Sequence, residues 1–377
     1  GIRSVEIKGT SLLLNGEPVK MGGCNRPLDH PDYGSLDPQQ VLQEDFNLMK
    51  RGSMELSRLS HYPVSSELLD LADMRGILII AEAGNWQMTP AQMSDSSMRR
   101  KFQNQFREMI ERDWNHPSVI AWSVGNEYQS QTTEGKDWTK DMFHFAKSLD
   151  PQRLVTFSSM IVFRDFIKSP SDEASQYVDF ISANIYGNHR ENLQRIHALY
   201  PDKPIYVSEF GLRADQVTSE VERVRYLSNA MADFRQCEYL IGASIWTLND
   251  YKSMYPGTNA NGFRPWGLVD QQRKPRDMYH AWQSELAPAT LQLLPVTTGR
   301  LRLVVTARKD FPSYTLRNYT VRVNATSFAV GILKPGESKS FEIDGVNPDG
   351  YDVELIKPGG FLIYKRMFSK DGTVTQK

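Results

Sequence analysis

The sequence predicts an α/β chain: a (β/α)8 TIM barrel followed by a small C-terminal Ig-like β-sandwich. Three observations lead there. Eight short apolar runs alternate with amphipathic stretches between residues 18 and 287. No glycine-rich phosphate loop follows the first run, as the competing doubly wound sheet would want. After Pro288 the pattern changes to closely spaced β-branched runs broken by Gly, Pro, Asn and Asp.

Taken in order, residues 1–17 read as a lead-in hairpin, because Asn15-Gly16 is a two-residue turn signal between apolar neighbours. Such a hairpin either plugs the bottom of the barrel or leads in from a further domain. The eight barrel strands are expected at 19–23, 54–59, 77–82, 119–124, 154–157, 180–185, 205–208 and 242–247. A helix is expected over 38–51, with Asp37 as N-cap ahead of Pro38. Another is expected over 98–115, where Phe102, Phe106, Ile110 and Trp114 recur every four residues on one face. The Met-rich segment 88–98 reads as a loop. Trp114, Trp122, Trp138 and Trp282 read as packing residues. Residues 288–377 hold runs at 290–296, 301–307, 319–323, 327–332, 339–343, 351–356 and 361–365, the spacing of a seven-stranded sandwich. No ionisable cluster lies there, so a structural role is expected of it.

The 377 residues carry a net charge of −1, which gives no electrostatic footprint for nucleic acid or an acidic membrane surface. No 18-residue apolar run exists to span a bilayer. Cys24 and Cys237 are the only cysteines, so neither a disulfide framework nor a cysteine zinc site is expected. No His pair has metal-ligand spacing with a nearby carboxylate, and no metal or other cofactor is implied. The chain opens Gly-Ile-Arg-Ser, without initiator Met or signal peptide, as a processed or truncated product would.

In such a barrel the chemistry sits at the C-terminal ends of the strands. Arg58 and His61 follow the second run, Glu82 ends the third, and Asn126 and Glu127 follow the fourth. Asn184 and Tyr186 end the sixth, Glu209 ends the seventh, and Trp246 lies near the end of the eighth. A carboxylate buried without partners costs several kcal/mol, so Glu127 and Glu209 at the ends of apolar runs need a reason. Two carboxyls across one mouth suit glycoside hydrolysis, one as proton donor and one as nucleophile. Arg58 and Tyr186 are the natural donors to keep a nucleophile ionised. Asn126 is placed for a sugar 2-hydroxyl, and Trp246 offers a flat face to a ring. Glu82 is expected to support Arg58. Trp86 is a candidate cleft wall, and Asp250 and Tyr251 stand either as loop caps or as substrate contacts.

The motifs then match a family. Gly-Cys-Asn-Arg (23–26), Arg-Leu-Ser-His-Tyr-Pro (58–63), Ile-Ala-Glu-Ala (80–83), Asn-His-Pro-Ser-Val-Ile-Ala-Trp-Ser-Val-Gly-Asn-Glu (115–127), Ser-Glu-Phe-Gly (208–211) and Gly-Leu-Val-Asp-Gln-Gln-Arg-Lys-Pro-Arg (267–276) carry the match. The chain resembles glycoside hydrolase family 2, the β-galactosidase, β-glucuronidase and β-mannosidase group, over about residues 5–285. The resemblance implies a catalytic barrel without the jelly-roll and Ig-like domains usual ahead of it. It implies Glu127 as general acid/base and Glu209 as nucleophile, with Arg58, His61, Asn126, Asn184, Tyr186 and Trp246 lining the substrate subsite.

It also implies a periplasmic or secreted location. Where glucuronidases hold the sugar carboxylate with an Asn-x-Lys element, this chain reads Arg264-Pro-Trp266-Gly. That speaks against typical glucuronidase action, while Asn-Arg-Pro-Leu-Asp-His (25–30) departs from the run some β-galactosidases carry; a β-galactosidase-like retaining exo-β-glycosidase is the expectation, with Arg264 kept as a residue for an acidic or sulfated sugar. Endo action on a β-glycan and a non-catalytic carbohydrate-binding protein are the competing readings.

Overall fold

The computed structural model describes residues 2–297, 300–344, 347 and 349–374. Eight parallel strands close into a barrel in chain order: Met21–Asn25, Leu56–Leu59, Leu78–Glu82, Val119–Asn126, Leu154–Ser159, Ile181–Asn184, Ile205–Phe210 and Leu240–Ile245. All of their residues except Leu78 are buried. That two-sided burial is why they read as unbroken apolar runs rather than as alternation. The first strand lies two residues later than expected. Val19 instead closes a third strand of the N-terminal sheet, and Lys20 bridges to Ser313 of the C-terminal region.

That N-terminal sheet is antiparallel, Val5–Lys8, Ser11–Leu14 and Glu17–Val19. Asn15 and Gly16 take φ of 53° and 78°, the paired left-handed geometry of a type I′ turn. Its Leu12 and Val19 pack with Met21, Leu56, Ile80, Ile120, Leu154, Phe180, Tyr206 and Ile241 and seal the N-terminal end of the barrel.

Helices fill the return paths. Gln39–Arg51 starts after Pro38, and Asp37 does not cap it. The Asp37 carboxylate instead accepts bonds of 2.7 and 3.0 Å from the buried Arg26, a stronger, charge-assisted use of the same oxygens. Segment 88–98 is not a loop. It holds the short helix Pro90–Ser94, with a Thr89/Gln92 capping box, and the start of the helix Ser96–Asp113, capped by Asp95. The long helix buries Phe102, Phe106, Met109 and Ile110, but Trp114 falls at its C-terminal end and is 43% exposed. Trp122, Trp138 and Trp282 are fully buried.

The C-terminal region is two facing antiparallel sheets. Ala289–Thr297, Arg300–Ala307 and Ser338–Asp344 form one, in that order. Thr326–Leu333, Leu316–Val323, Tyr351–Lys357 and Phe361–Phe368 form the other. The first, second and fifth strands thus face the fourth, third, sixth and seventh, and alternating residues of both sheets build one core. This unit docks near the sealed end of the barrel: Glu55, just ahead of the second barrel strand, lies between Lys50 (2.6 Å) and Lys357 of the sandwich.

Candidate active site

At the open end, five of the eight barrel strands finish in polar residues: Asn25, Glu82, Asn126, Ser159 and Asn184. Glu127 follows the fourth strand and Glu209 lies within the seventh. Strand pairing breaks register at both places, between Ser123 and Asn126 and between Val207 and Glu209. Such irregularities re-aim side chains at barrel rims. Gly125 (φ 147°) makes the first break feasible, since a Cβ there would come 2.9 Å from the Asn85 carbonyl. Glu127 itself sits in the left-handed region, φ 51°, which non-glycine residues rarely hold without a compensating reason.

Arg58 ties the site together. It is 1% exposed, and all five of its N–H groups are used. Nε and Nη2 reach Glu82 (3.2 and 2.8 Å), Nη1 reaches Asn25 (3.2 Å) and Glu209 (2.7 Å), and Nη2 reaches Asn126 (2.8 Å). Glu82 also accepts from Ser123 (2.6 Å) and pairs with His61 Nδ1 (2.8 Å). Burial pushes the Glu82 carboxyl up, but Arg58, His61 and Ser123 outweigh it and hold it down at about 2. Glu82 is therefore a permanent anion that fixes Arg58.

The two outer carboxylates differ. Glu209 is 3% exposed and accepts from Arg58 and from the Tyr186 hydroxyl (2.7 Å). Burial raises its pKa above the ordinary value; Arg58 opposes the rise and Glu127 adds to it. Burial of the Tyr186 hydroxyl, with Glu209 beside it, raises that phenol well above its usual range, so it stays a donor. Although 38% of Tyr186 is open to the cleft, its hydroxyl end lies deep against Glu209. Glu127 is half-buried and accepts from two amides, Asn184 Nδ2 on Oε1 (2.8 Å) and Gln87 Nε2 on Oε2 (3.0 Å). Asn184 is held in turn by Ser208 (2.7 Å).

A cleft of about 620 Å³ opens above these groups. His61, Trp86, Asn126, Glu127, Tyr186, Glu209, Trp246, Arg264 and Trp266 all reach it. Arg58, Asn184 and Glu82 do not, and lie beneath its floor, orienting what lines it. Asn126 Oδ1 is taken by Arg58 and Asn184, which leaves its Nδ2 to serve a ligand. Trp246 forms part of the wall, against His61 (5.4 Å) and bonded to the Tyr251 hydroxyl (3.1 Å). Asp250 is a cap: it accepts from Arg276 (2.6 Å) and from the Gly267 amide (2.8 Å).

Arg264 lies 5.1 Å from the Tyr255 ring and 5.9 Å from Trp266. Its Nε is buried without a hydrogen-bond partner, and among the described residues it forms no ion pair. Gln87 and Tyr255 are cleft residues that sequence reasoning missed. Their runs have no periodicity, and only the position of Gln87 just past the third strand could have flagged it. Among the described residues, Asp70, Asp73 and His116 form the one grouping close enough to hold a metal ion. It lies at the sealed end, where Asp73 already accepts from the Ser118 amide (2.8 Å) and pairs with His116 (2.8 Å).

The family model described as "Glycosyl hydrolases family 2, TIM barrel domain" matches residues 5–277. The β-glucuronidase of Mus musculus is 30% identical over 300 residues, covering 73% of this chain and 45% of the mouse protein. The chain thus spans about half the length of the curated relatives it matches. Among solved structures, a family 2 β-galacturonidase from Eisenbergiella tayi bound to galacturonate is 26% identical (TM-score 0.69; 75% of this chain, 54% of that one). A β-glucuronidase from Ruminococcus gnavus in complex with D-glucuronic acid is 28% identical (TM-score 0.67; 75% and 52%).

Proposed function

Because the chain belongs to glycoside hydrolase family 2, we propose that it is a retaining exo-β-glycosidase acting by double displacement, with Glu209 as nucleophile and Glu127 as acid/base. The observation that carries this reading is the contrast between the two carboxylates sharing one cleft. Glu209 is gripped by a guanidinium and a phenol that favour its ionised form, while Glu127 meets only neutral amides. A Glu209 oxygen attacks the anomeric carbon. The bond to the leaving oxygen breaks with its electron pair, and that oxygen takes the proton of Glu127. Glu127 then takes a proton from water as the water oxygen attacks the same carbon and frees Glu209. Asn126 Nδ2 serves the sugar, and Trp246 gives it a flat wall.

The sequence expectation of a β-galactosidase-like preference gives way to an acidic sugar. Relatives that the chain matches include β-glucuronidases and a β-galacturonidase. Arg264 supports the change, as a cation on the cleft wall with no ion-pair partner among the described residues, which a sugar carboxylate would supply. The Tyr251 phenol beside it is pushed up to about 12 by burial, partly offset by Arg264, and so stays neutral. The test is a panel of aryl β-uronides and neutral aryl β-glycosides, with a 2-deoxy-2-fluoro uronide as trap. We expect uronides to be favoured and the peptide bearing Glu209 to carry the label. Preference for a neutral galactoside would overturn the sugar assignment, and a label elsewhere would overturn the mechanism.

A further inference from the structure

We propose that Trp86, Tyr255 and Gln87 form a leaving-group subsite that takes a second pyranose ring, so that the substrate is a β-linked saccharide rather than a glycoside of a small alcohol. The inference rests on Glu127 being the general acid, because the acid stands beside the departing oxygen and so marks the leaving-group side of the cleft.

The backbone puts this trio on that side. The Gln87 amide donates to the Asn126 carbonyl (2.8 Å), and the Asn126 amide donates to the Asn85 carbonyl (2.7 Å). Segment 85–87 therefore runs as an extra parallel bridge along the backbone that carries Glu127. Trp86 is fixed relative to the acid by main-chain bonds. The aromatic pair at the nucleophile is a different one: Tyr186, bonded to Glu209, packs on Trp266 at 5.4 Å. Each carboxylate thus has an aromatic pair on its side, a third pair, Trp246 and Tyr251 (5.9 Å), stands in the wall, and Arg264 lies between Tyr255 and Trp266.

Exposure separates this pair from the sugar wall already described. Trp246 is 9% exposed, whereas Trp86 and Tyr255 are 44% and 37% exposed. Their rings stand 5.5 Å apart at 50°, and His61 stacks on Trp86 at 5.9 Å and 13°. Two open, braced rings at a cleft edge are an apolar platform without a partner of its own.

Gln87 supplies the polar half of the subsite. It holds the left-handed region, φ 54°, and donates to Glu127 Oε2. The other oxygen is held from below by Asn184, which is 2% exposed. Oε2 is thus the oxygen that faces the departing group, and a bound saccharide displaces the Gln87 amide from it. The freed amide then meets the hydroxyls of the leaving ring. A pyranose offers this combination, an apolar C–H face with polar edges. A purely aromatic leaving group would use the platform and leave the amide unpaired.

The experiment compares the protein with its Trp86→Ala and Gln87→Ala variants on three β-glycosides of one sugar: a disaccharide, a phenyl glycoside and a dinitrophenyl glycoside. The last has an activated leaving group that departs without protonation, so its turnover shows that each variant is folded and carries a working nucleophile, while the phenyl glycoside, whose leaving oxygen needs the proton of Glu127, reports the acid. We expect both variants to lose roughly 10- to 100-fold more kcat/KM on the disaccharide than on the dinitrophenyl glycoside. Equal losses on the disaccharide and the dinitrophenyl glycoside would overturn the subsite, and a Gln87→Ala loss on the phenyl glycoside as large as on the disaccharide would mean that Gln87 acts through Glu127 and would remove it from the subsite. A Trp86→Ala loss on the phenyl glycoside as large as on the disaccharide, with Gln87→Ala silent, would assign the platform to aromatic leaving groups and overturn the second pyranose. A wild-type protein inactive on all three would bring down the glycosidase reading itself, an outcome distinct from an active protein whose variants show no split.

Discussion

The two ends of the barrel are built from the same eight strands and could hardly differ more. The sealed end is apolar: Leu56, Ile80, Ile120, Leu154, Phe180 and Ile241 interlock under the N-terminal sheet. The open end buries Arg58, Glu82, Asn126, Asn184 and Glu209 together. The third strand makes the change within three residues, from Ile80 in the plug to Glu82 under the cleft. Apolar packing at one end supplies cohesion, and a polar network centred on Arg58 at the other fixes geometry at the expense of desolvation.

Single substitutions at each end should separate the two roles. On the proposed double displacement, Glu209→Gln should lower kcat on the order of 10⁴-fold or more, since it would remove a member of a covalent catalytic unit. Its unfolding free energy from urea denaturation should stay within about 1 kcal/mol of the parent. Phe180→Ala, in the plug, should do the reverse. It should cost roughly 3–5 kcal/mol of stability through transfer and cavity terms while kcat/KM holds. A large stability loss in the first, or an activity loss without unfolding in the second, would break the division.

Acid sharpens the comparison, because each end holds one glutamate far below its ordinary value. Burial pushes Glu55 up, but Lys357 and Lys50 outweigh it and hold it at about 2; Glu82 stands at about 2 through Arg58 and His61. A carboxyl lowered in the folded state stabilises above its unfolded pKa, and that contribution fades as pH falls through the folded one. Each should therefore contribute on the order of 2–3 kcal/mol that is present above about pH 4.5 and lost toward pH 2. Glu55→Gln should flatten part of this acid dependence in pH-dependent denaturation and leave neutral turnover intact. Glu82→Gln should flatten another part and lower turnover too, because it releases Arg58 from beneath Glu209.

The sealed end and the strand count were legible in the sequence, since strands covered on both faces announce themselves as continuous apolar runs. Glu82, Asn126, Asn184 and Glu209 were legible for the same reason, as polar residues closing such runs. Boundaries were less so. Val19 is as apolar as Met21, and only the turn at Asn15-Gly16 decides which sheet it joins. The helix at Pro90–Ser94 was written in Thr89-Pro-Ala-Gln92, a capping box with proline at the first helical position, but the methionines around it drew the reading toward a loop. Gln87 and Tyr255 were not legible. Their placement depends on main-chain bonds to Asn126 and on ring contacts from a distant loop, neither of which leaves a periodic trace.

The smallest effect concerns how the open end sets the charge of Glu209. Burial raises this carboxyl, while Arg58 and the Tyr186 hydrogen bond oppose the rise. As the proposed nucleophile, Glu209 must be ionised, so kcat/KM should fall as pH drops through its raised pKa, placing the acid limb above the 4.5 of an ordinary glutamate. Tyr186→Phe removes one donor to the charged form and nothing from the protonated form. The acid limb should therefore move to higher pH, and plateau kcat/KM should fall roughly 10- to 100-fold, the scale of one hydrogen bond to a charged group. Because the phenol itself stays protonated across this range, it adds no limb of its own. A shift of the limb to lower pH would mean that Tyr186 disfavours the anion, and would remove it from the set of groups that make Glu209 a nucleophile.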